Sequence, residues 1–269
     1  MNDYSDALKL LTELLYGYYD ETPCVVLVDE YDTPLTIASQ NGYFDQAVLF
    51  FRKFDSSFSK SNPYIFFVLL SGITEISKES IFSEMNNVDV YTIADKDFSR
   101  YFGFTEEEIE KMASFFGLSL DMDSLRNWYG GFGADGSMFN PWSVLNYLNR
   151  GYFEPYWVNT GSHFAVHQIL GDDDNTIDSL NDILDNRSSP FHFERGISYR
   201  DLRSDKDILL SLLVHAGYLR FDLTSEGANV LRLPNLEAKS AFQREILSRM
   251  PSHAPLSKAR NLRAAIESK

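Results

Sequence analysis

The stretch from Cys24 to Asp32, with the sequence CVVLVDEYD, constrains the fold of this chain more than any other. Val25 to Val28 form a short, uninterrupted aliphatic run, which predicts a strand buried on both faces, as in a parallel α/β sheet. The strand ends abruptly in two acidic residues, Asp29 and Glu30. Open α/β sheets bind their ligands at the carboxyl ends of strands, so these two side chains are the first candidates for a functional site.

An aliphatic strand that closes on Asp-Glu is also the Walker B pattern of P-loop nucleotidases. In that pattern the aspartate holds Mg²⁺, usually through water, and the glutamate orients the attacking water. The competing interpretation is a core strand followed by a solvated acidic turn. The pattern alone does not separate these two interpretations.

Composition limits the class of protein. The chain has 269 residues, 44% of them hydrophobic, which is enough to bury a core in one large domain or two modest ones. The net charge of -15 repels nucleic-acid phosphates, so direct binding of DNA or RNA is not expected. No apolar stretch approaches the roughly 18 residues of a membrane helix. Asp3 and Asp6 stand where a signal peptide is basic, and the single cysteine, Cys24, is predicted to be a buried thiol. These features predict a cytoplasmic protein.

The elements around the first strand are predicted from periodicity and turn residues. Residues 4–19 place Leu8, Leu11, Leu15 and Tyr18 at helical spacing, which predicts an amphipathic helix. The sequence Asp32-Thr33-Pro34 predicts a turn. A second helix is expected over residues 43–59, where an aromatic stripe indicates core contact.

A second apolar run, Tyr64 to Leu70, closes on Ser71-Gly72-Ile73-Thr74. Strand, helix and strand in this order predict a βαβ unit with parallel strands. Ser71 or Thr74 could sense a γ-phosphate from the end of the second strand. The alternative is an ordinary Ser-Gly turn in which Thr74 caps the following segment.

Downstream elements are marked by local signals. Val88 to Ile93 is predicted as a third strand, and Thr105 with Glu108 forms a capping box for a helix that Gly117 ends. Asn140 and Pro141 begin a helix that extends to about Leu148. A helix over residues 206–216 precedes a hairpin of residues 218–223 and 229–233, the outline of a winged-helix-like subdomain.

Three other groups are candidate sites. Glu237-Ala238-Lys239 spells the ExK of some nucleases, with Asp222 upstream, but this tripeptide is common by chance. His163 and His167 have the spacing of two metal ligands, without a third ligand at a recognised offset. Arg100 could face a phosphate or be an ordinary surface residue.

Several segments occur in the order found in one family. The chain closely resembles the bacterial AAA-ATPase-like proteins, which usually carry a PD-(D/E)xK nuclease-like domain at their C-terminus. The resemblance spans about residues 5–250 and is carried by VVLVDEYDTPL (Val25 to Leu35), FVLLSGITEISKESIFSEMNN (Phe67 to Asn87), GFTEEEIEKM (Gly103 to Met112), WYGGF (Trp128 to Phe132), FNPWSVLNYL (Phe139 to Leu148), YWVNTGS (Tyr156 to Ser162), AGYL (Ala216 to Leu219) and LPN (Leu233 to Asn235).

The resemblance implies roles for the strand-end residues. Asp29 would be the Mg²⁺-associated acid, Glu30 the catalytic base that orients water, and Ser71 to Thr74 a nucleotide-sensing turn. It also implies an α/β fold: a partial P-loop NTPase (AAA-like) parallel sheet over residues 1–104, a helical lid over 105–165, a winged-helix-like subdomain over 166–250 and a tail over 251–269.

The sequence also departs from the family pattern. No GxxxxGK[ST] phosphate loop, or Walker A motif, occurs in these 269 residues, and the nuclease domain is not recognised. The expected function is therefore an AAA-like ATPase that uses ATP and Mg²⁺ in a full-length context and is inactive as this chain. The alternative is a noncatalytic, truncated interaction module without a cofactor. Open sheet edges are expected to favour self-association.

Overall fold

The computed structural model describes residues 4, 6–55, 62–73, 88–158, 182–185, 190–197, 206–223 and 229–249. The fold is a mixture of helices and small sheets, with a parallel sheet near the N-terminus. The described elements are α1 (Ala7–Tyr18), β1 (Cys24–Val28), α2 (Thr33–Gln40), α3 (Phe44–Asp55), β2 (Ile65–Leu70), a 3₁₀ helix (Ser99–Tyr101), α4 (Glu106–Phe116), α5 (Met122–Tyr129), α6 (Pro141–Arg150), β3 (Pro190–Phe191), α7 (Lys206–His215), β4 (Arg220–Leu223), β5 (Asn229–Arg232) and α8 (Leu236–Arg249).

The chain divides into two compact units. Unit 1 consists of Met1–Val90 and Phe193–His215, and unit 2 of Tyr91–His192 and Ala216–Lys269. This division places α7 in unit 1 and the β4–β5 hairpin in unit 2, so the winged-helix-like subdomain stays a prediction. The domain boundaries expected from the sequence also stay predictions.

Unit 1 is built on the predicted βαβ connection. Strands β1 and β2 pair in parallel, with Val26 opposite Val68 and Val28 opposite Leu70. Helices α2 and α3 form the connection between them, as a parallel pair requires. Leu35 of α2 and Val48 of α3 are buried together, with the aromatic side chains of α3 packed around them. The parallel strands and the core role of α3 are thus confirmed.

The prediction that β1 is buried on both faces is wrong. Side chains alternate along the strand between half-buried and exposed. Because the strands are in register, Val25 and Leu27 share one face with Phe67 and Leu69, and all four are exposed. A continuous aliphatic run indicates a strand, but the covering of its faces depends on the layers packed against it.

Two further expectations for unit 1 need correction. The leucines predicted to line the inner face of α1 include Leu11 and Leu15, which are exposed, whereas Thr12 is buried. Its hydroxyl donates to the carbonyls of the preceding turn and accepts from Asn62. The turn predicted at Asp32-Thr33-Pro34 is instead the beginning of α2. Proline is tolerated there because the first amides of a helix have no intrahelical acceptor.

Unit 2 confirms the local helix signals. Thr105 and Glu108 form the predicted capping box at α4, and Gly117 ends that helix in the left-handed conformation. The side chain of Asn140 caps α6, with Pro141 in its first turn. These helices bury one core of six residues, namely Ile109, Leu125, Tyr129, Phe139, Val144 and Tyr156.

The strand predicted at Val88 to Ile93 is not present. Thr92 donates through both its amide and its hydroxyl to the Asp95 carboxylate, at 2.8 and 2.9 Å, and the Asp95 amide returns a bond to the Thr92 carbonyl. These local bonds make a turn and compete with a strand ladder.

The predicted hairpin is confirmed in unit 2, where β4 and β5 pair antiparallel. The short strand β3, which the sequence did not indicate, pairs with the other side of β5. Among the described residues, no helix is long and apolar enough to cross a membrane.

Candidate functional site

The ends of the two parallel strands bring two predicted site residues together. Val28 and Leu70 are in register, so the residues that follow them, Asp29 and Ser71, lie side by side at the carboxyl edge of the sheet. The Ser71 hydroxyl donates a short hydrogen bond to Oδ1 of Asp29. The Ser71 amide continues the ladder by donating to the Val28 carbonyl at 2.9 Å. The proximity of these side chains therefore follows from strand register.

Glu30 is held beside this pair by an unusual backbone. Its φ of 51° is in the left-handed region, which a non-glycine residue adopts at a cost. Its amide donates to Oδ1 of Asp29 at 3.0 Å, so that one oxygen accepts two hydrogen bonds. Its carboxylate accepts from the Thr33 hydroxyl at 3.3 Å and remains exposed to solvent. Glu30 thus presents a charged, accessible oxygen next to Asp29.

The loops after β1 and β2 are joined at two further points. The Tyr31 amide donates to the Ser71 carbonyl at 3.0 Å. The Ile73 amide donates to Oδ2 of Asp32 at 3.1 Å, and Asp32 is buried. Sequence reasoning treated Asp32 only as part of a turn. A signal was present, since an aspartate before Thr-Pro is a common way to begin a helix.

These oxygens form a donor set of a particular kind. Asp29 and Ser71 offer a carboxylate and a hydroxyl, which are hard ligands suited to Mg²⁺. Magnesium usually keeps several waters and takes one or two protein carboxylates. Among the described residues there is no group of three or more His, Cys, Asp or Glu placed to hold a metal. Asp29 and Ser71 therefore present oxygen ligands of the kind that a hydrated Mg²⁺ accepts.

The other residues singled out in the sequence lie in other parts of the chain or outside the described residues. Thr74, His163 and His167 lie outside the described residues. The Arg100 guanidinium lies over the ring of its neighbour Tyr101, 5.5 Å from the ring centroid. Cys24 is half-buried rather than fully buried, with Sγ 3.7 Å from the carbonyl oxygen of Thr12.

The ExK residues of unit 2 have separate surroundings. Asp222 pairs with Arg220 at 2.5 Å and with Arg232 at 3.0 Å on the hairpin. Glu237 is fully buried, where its two oxygens accept from the Ser143 hydroxyl at 2.8 Å and the Trp157 amide at 2.7 Å. Burial raises the pKa of Glu237 to about 7 despite these hydrogen bonds.

Four sequence motifs of unit 2 meet at the beginning of α8. Asn235 donates to the Gly130 carbonyl at 2.7 Å and accepts from the Ala238 amide at 2.9 Å. Gly131 has a φ of +91°, and a Cβ there would collide with the Pro234 carbonyl. WYGGF, the beginning of FNPWSVLNYL, Tyr156 to Val158 and LPN therefore supply the α8 polar cluster. This cluster is defined as Ser143, Asn235 and Glu237 with the backbone at Gly130 and Trp157. Their role in this unit is to fix buried packing.

The fold mixes helices with small sheets and brings acidic side chains to the carboxyl edge of its parallel sheet. Comparisons with known proteins find a family to which part of the chain is similar. Residues 1–82 match the model of a family described as predicted AAA-ATPase. This N-terminal segment is therefore similar to the AAA-ATPase-like family, and it contains Asp29, Glu30 and Ser71.

A relative extends the similarity beyond that segment. An uncharacterized protein from the vnfD 5' region of Azotobacter chroococcum mcd 1 is 29% identical over 231 residues. The match covers 84% of this chain and 43% of the relative, so the chain spans less than half the length of that protein. No solved structure matches this chain.

Proposed function

We propose that Asp29, Glu30 and Ser71 form the metal and water side of an Mg-ATP hydrolysing site. The observation that carries the proposal is the hydrogen bond between Ser71 and Asp29 at the carboxyl ends of two neighbouring parallel strands. Ligands of open α/β sheets bind at this edge. The family match over residues 1–82 supports nucleotide chemistry here over a solvated acidic turn.

Each residue has a distinct role in the proposal. Asp29 anchors Mg²⁺ through water, and its Oδ1 is fixed in direction by the two hydrogen bonds that it accepts. Glu30 orients and deprotonates the attacking water with its exposed carboxylate. Ser71 holds Asp29 and lies where a terminal phosphate would be sensed; Thr74 has the same proposed role. When bound, Mg²⁺ would neutralise charge that develops on the transferred phosphoryl group.

The backbone at Glu30 also supports a functional role. Four non-glycine residues in the described chain have positive φ, and Glu30 is the one at the carboxyl end of a strand. Such conformations persist where surrounding contacts over-determine them, and they concentrate at active sites. Two hydrogen bonds are the contacts here. The Glu30 amide donates to the Asp29 carboxylate, and the Thr33 amide donates to the Glu30 carbonyl at 3.0 Å, which closes a turn.

The phosphate side of the site is proposed to come from a GxxxxGK[ST] loop, which is absent from these 269 residues. Phosphoryl transfer depends on positioning and electrostatic clamping, and acidic residues supply only part of that clamp. We therefore expect no Mg²⁺-dependent ATP turnover by this chain above that of a Glu30→Gln control. The absence of direct nucleic-acid binding, supported by the net charge of -15, and a cytoplasmic location are parts of the same proposal.

The decisive experiment uses a longer polypeptide in which this chain follows a GxxxxGK[ST] segment in frame. Glu30→Gln should leave ATP binding nearly intact and slow turnover by roughly 10²–10⁴-fold, the usual contribution of a general base. Asp29→Ala should instead weaken Mg-ATP binding by roughly tenfold or more. Equal losses of binding in both variants would show that the two roles are misassigned.

A matched control is available on the other side of β1. Glu21 is an exposed glutamate that also has positive φ, in the loop before the strand. Glu21→Gln changes the same charge at the amino end of the sheet, so turnover should stay unchanged. A loss of turnover equal to that of Glu30→Gln would mean that general charge, and not position, determines activity.

The second candidate is a noncatalytic module that associates with another copy of itself. The observation that favours it is the exposed apolar face formed by Val25, Leu27, Phe67 and Leu69 on a two-stranded sheet. Such an exposed apolar face promotes association. Light scattering should then show oligomers that Leu27→Lys dissociates, with no change caused by Asp29→Ala. A monodisperse monomer would contradict this candidate.

A further inference from the structure

Asp32 connects the two loops of the acidic site. It follows β1 by four residues and lies at the beginning of α2, yet its carboxylate accepts the Ile73 amide from the loop after β2. Asp32 is only 5% exposed, although Asp29 and Glu30 beside it are exposed. A buried carboxylate is retained where hydrogen bonds compensate its desolvation, so its position in the fold is strongly determined.

The sequence explains why this carboxylate is available to another loop. An aspartate before a helix normally accepts an amide from the second or third helical residue. In α2 the second residue is Pro34, which has no amide hydrogen, and the amides of Leu35 and Thr36 donate to the Asp32 carbonyl at 3.1 and 3.0 Å. The Asp32 side chain makes no capping bond to α2. It is therefore directed to the Ile73 amide.

Gly72 permits this approach. A Cβ at position 72 would lie 2.7 Å from Oδ1 of Asp32 and 2.7 Å from Cε1 of Tyr31. Both distances are shorter than real contacts of a Cβ, so the glycine lets the β2 loop lie directly against the Asp32 carboxylate. The residue type at position 72 and the carboxylate at position 32 thus depend on each other.

We propose that Asp32 is a positioning residue of the acidic site: by holding the Ile73 amide, it fixes the β2 loop so that the Ser71 hydroxyl meets Asp29. Three hydrogen bonds join the loops after β1 and β2. Ser71 donates to Asp29, Tyr31 donates to Ser71, and Ile73 donates to Asp32. Removal of the last bond leaves the loop after Ser71 free to turn away. This inference rests on the proposed Mg²⁺ role of Asp29, and it assigns Asp32 no contact with ligand.

The test uses the 269-residue chain with Mn²⁺ as a paramagnetic substitute for Mg²⁺. Backbone NMR measures hydrogen exchange at Ile73 and the broadening of the Ser71 amide during Mn²⁺ titration. Asp32→Ala should speed exchange at Ile73 by about tenfold or more, because a bond to a charged acceptor is lost. The Mn²⁺ affinity should fall by roughly tenfold, as for the loss of a group that orients a ligand. Gly72→Ala should reproduce both effects.

Asp32→Asn is the conservative rescue. Its amide oxygen can still accept the Ile73 hydrogen, so exchange should stay slow and Mn²⁺ affinity should remain within about threefold of wild type, the small loss reflecting one distant charge. If Asp32→Asn loses affinity as fully as Asp32→Ala while Ile73 stays protected, Asp32 acts through its charge and the positioning role is wrong. Unchanged exchange at Ile73 in Asp32→Ala would also overturn it.

A structural control separates loss of stability from loss of position. Leu35→Val trims a buried side chain of unit 1 next to Asp32 in sequence without removing a bond between the loops. It should lower stability but leave Mn²⁺ affinity and local Ile73 exchange near wild type. If wild type shows no broadening at Ser71, the proposed Mg²⁺ role of Asp29 fails, whereas the Ile73 comparison still tests the contact of Asp32.

Discussion

The two units differ in where they place polar and apolar side chains, either in a buried core or at an exposed surface. Unit 2 buries an aromatic core and closes the α8 polar cluster inside it, with Glu237 and Ser143 fully buried and mutually hydrogen-bonded. Unit 1 leaves an apolar sheet face exposed and places the polar ends of its strands at an open edge. Polar groups inside a core must be satisfied by the protein, whereas polar groups at an open edge can bind a ligand.

This contrast suggests where function and stability reside. The motifs of unit 2 that looked most distinctive in sequence, such as WYGGF and LPN, account for packing around α8. Asp29 and Glu30 of unit 1 have no comparable role in buried packing, since both are exposed. Substitutions should therefore separate the units, with large losses of stability in unit 2 and small ones on the open surface of unit 1.

Two reporters distinguish the units in one chain. All three tryptophans, Trp128, Trp142 and Trp157, belong to unit 2, so intrinsic fluorescence follows its unfolding. The single cysteine, Cys24, belongs to β1 of unit 1 and is half-buried, so the rate of thiol labelling follows the opening of that unit. Urea unfolding followed by these two signals measures the stability of each unit.

The largest effect is expected from Gly131→Ala. The new Cβ would collide with the backbone carbonyl of Pro234, which cannot rotate away, and the φ of +91° is strained for alanine. We expect a loss of about 4 kcal/mol or more in unit 2, as for other severe backbone conflicts. Gly117→Ala is the control, because Gly117 also has positive φ but open space around it, and it should lose only about 1–2 kcal/mol. Equal losses would mean that the approach of Pro234 is not tight.

A leucine pair sharpens the comparison between the units. Leu125 of unit 2 is fully buried, whereas Leu27 of unit 1 is 68% exposed. Leu125→Ala should destabilise unit 2 by about 2–5 kcal/mol through lost burial and a cavity. Leu27→Ala should change the stability of unit 1 by less than about 0.5 kcal/mol. A large effect of Leu27→Ala on thiol labelling would show that this sheet face is covered in solution.

Glu237 predicts a pH dependence of unit 2. Its pKa is about 7 in the folded state and near 4.5 when exposed, so the folded state holds its proton more tightly. The stability from this group is fully present at low pH and is lost as pH rises through about 7. By linkage, unit 2 should lose about 2–3 kcal/mol between pH 5 and pH 8.

Glu237→Gln should remove that dependence. Glutamine can still accept from the Trp157 amide and can donate to Ser143, while it carries no charge at any pH. Fluorescence-detected unfolding at pH 8 should therefore show the variant to be more stable than wild type. Glu107→Gln is the control on an exposed carboxylate, whose pKa the ammonium of Lys111 lowers, and it should leave the slope between pH 5 and 8 unchanged. A wild-type slope that persists in Glu237→Gln would assign it to another group.

Sequence patterns predicted what depends on neighbours in the chain. The capping box of α4, the Asn140 cap and the two parallel strands all follow from residues close together. Once the register of β1 and β2 is assumed, the proximity of Asp29 and Ser71 also follows. The prediction of a strand at Val88 to Ile93 is wrong because hydrogen bonds from Thr92 to the Asp95 side chain compete with the backbone bonds of a strand ladder.

Contacts between distant residues could not be predicted in this way. Glu237 and Ser143 are 94 residues apart, and Asn235 and Gly130 are 105 apart, so no local pattern joins them. The hydrogen bond between the Ile73 amide and the Asp32 carboxylate was not predicted for a related reason. The sequence around Asp32 indicated a turn, but it did not indicate which distant group would bond to that carboxylate. The exposed face of β1 likewise depends on which layers cover the sheet, and an aliphatic run carries no such information.

The smallest predicted effect compares one helix cap from each unit. Thr105 of unit 2 accepts the Glu108 amide at 3.3 Å and belongs to a complete capping box, whereas Asp6 of unit 1 begins α1 without a side-chain cap bond. Thr105→Ala should therefore cost about 1 kcal/mol of unit 2 stability, and Asp6→Ala only a few tenths in unit 1. Fluorescence and thiol labelling measure the two losses separately. A loss in Asp6→Ala as large as in Thr105→Ala would mean that α1 is capped in solution by Asp6, and that unit 1 relies on local helix signals as unit 2 does.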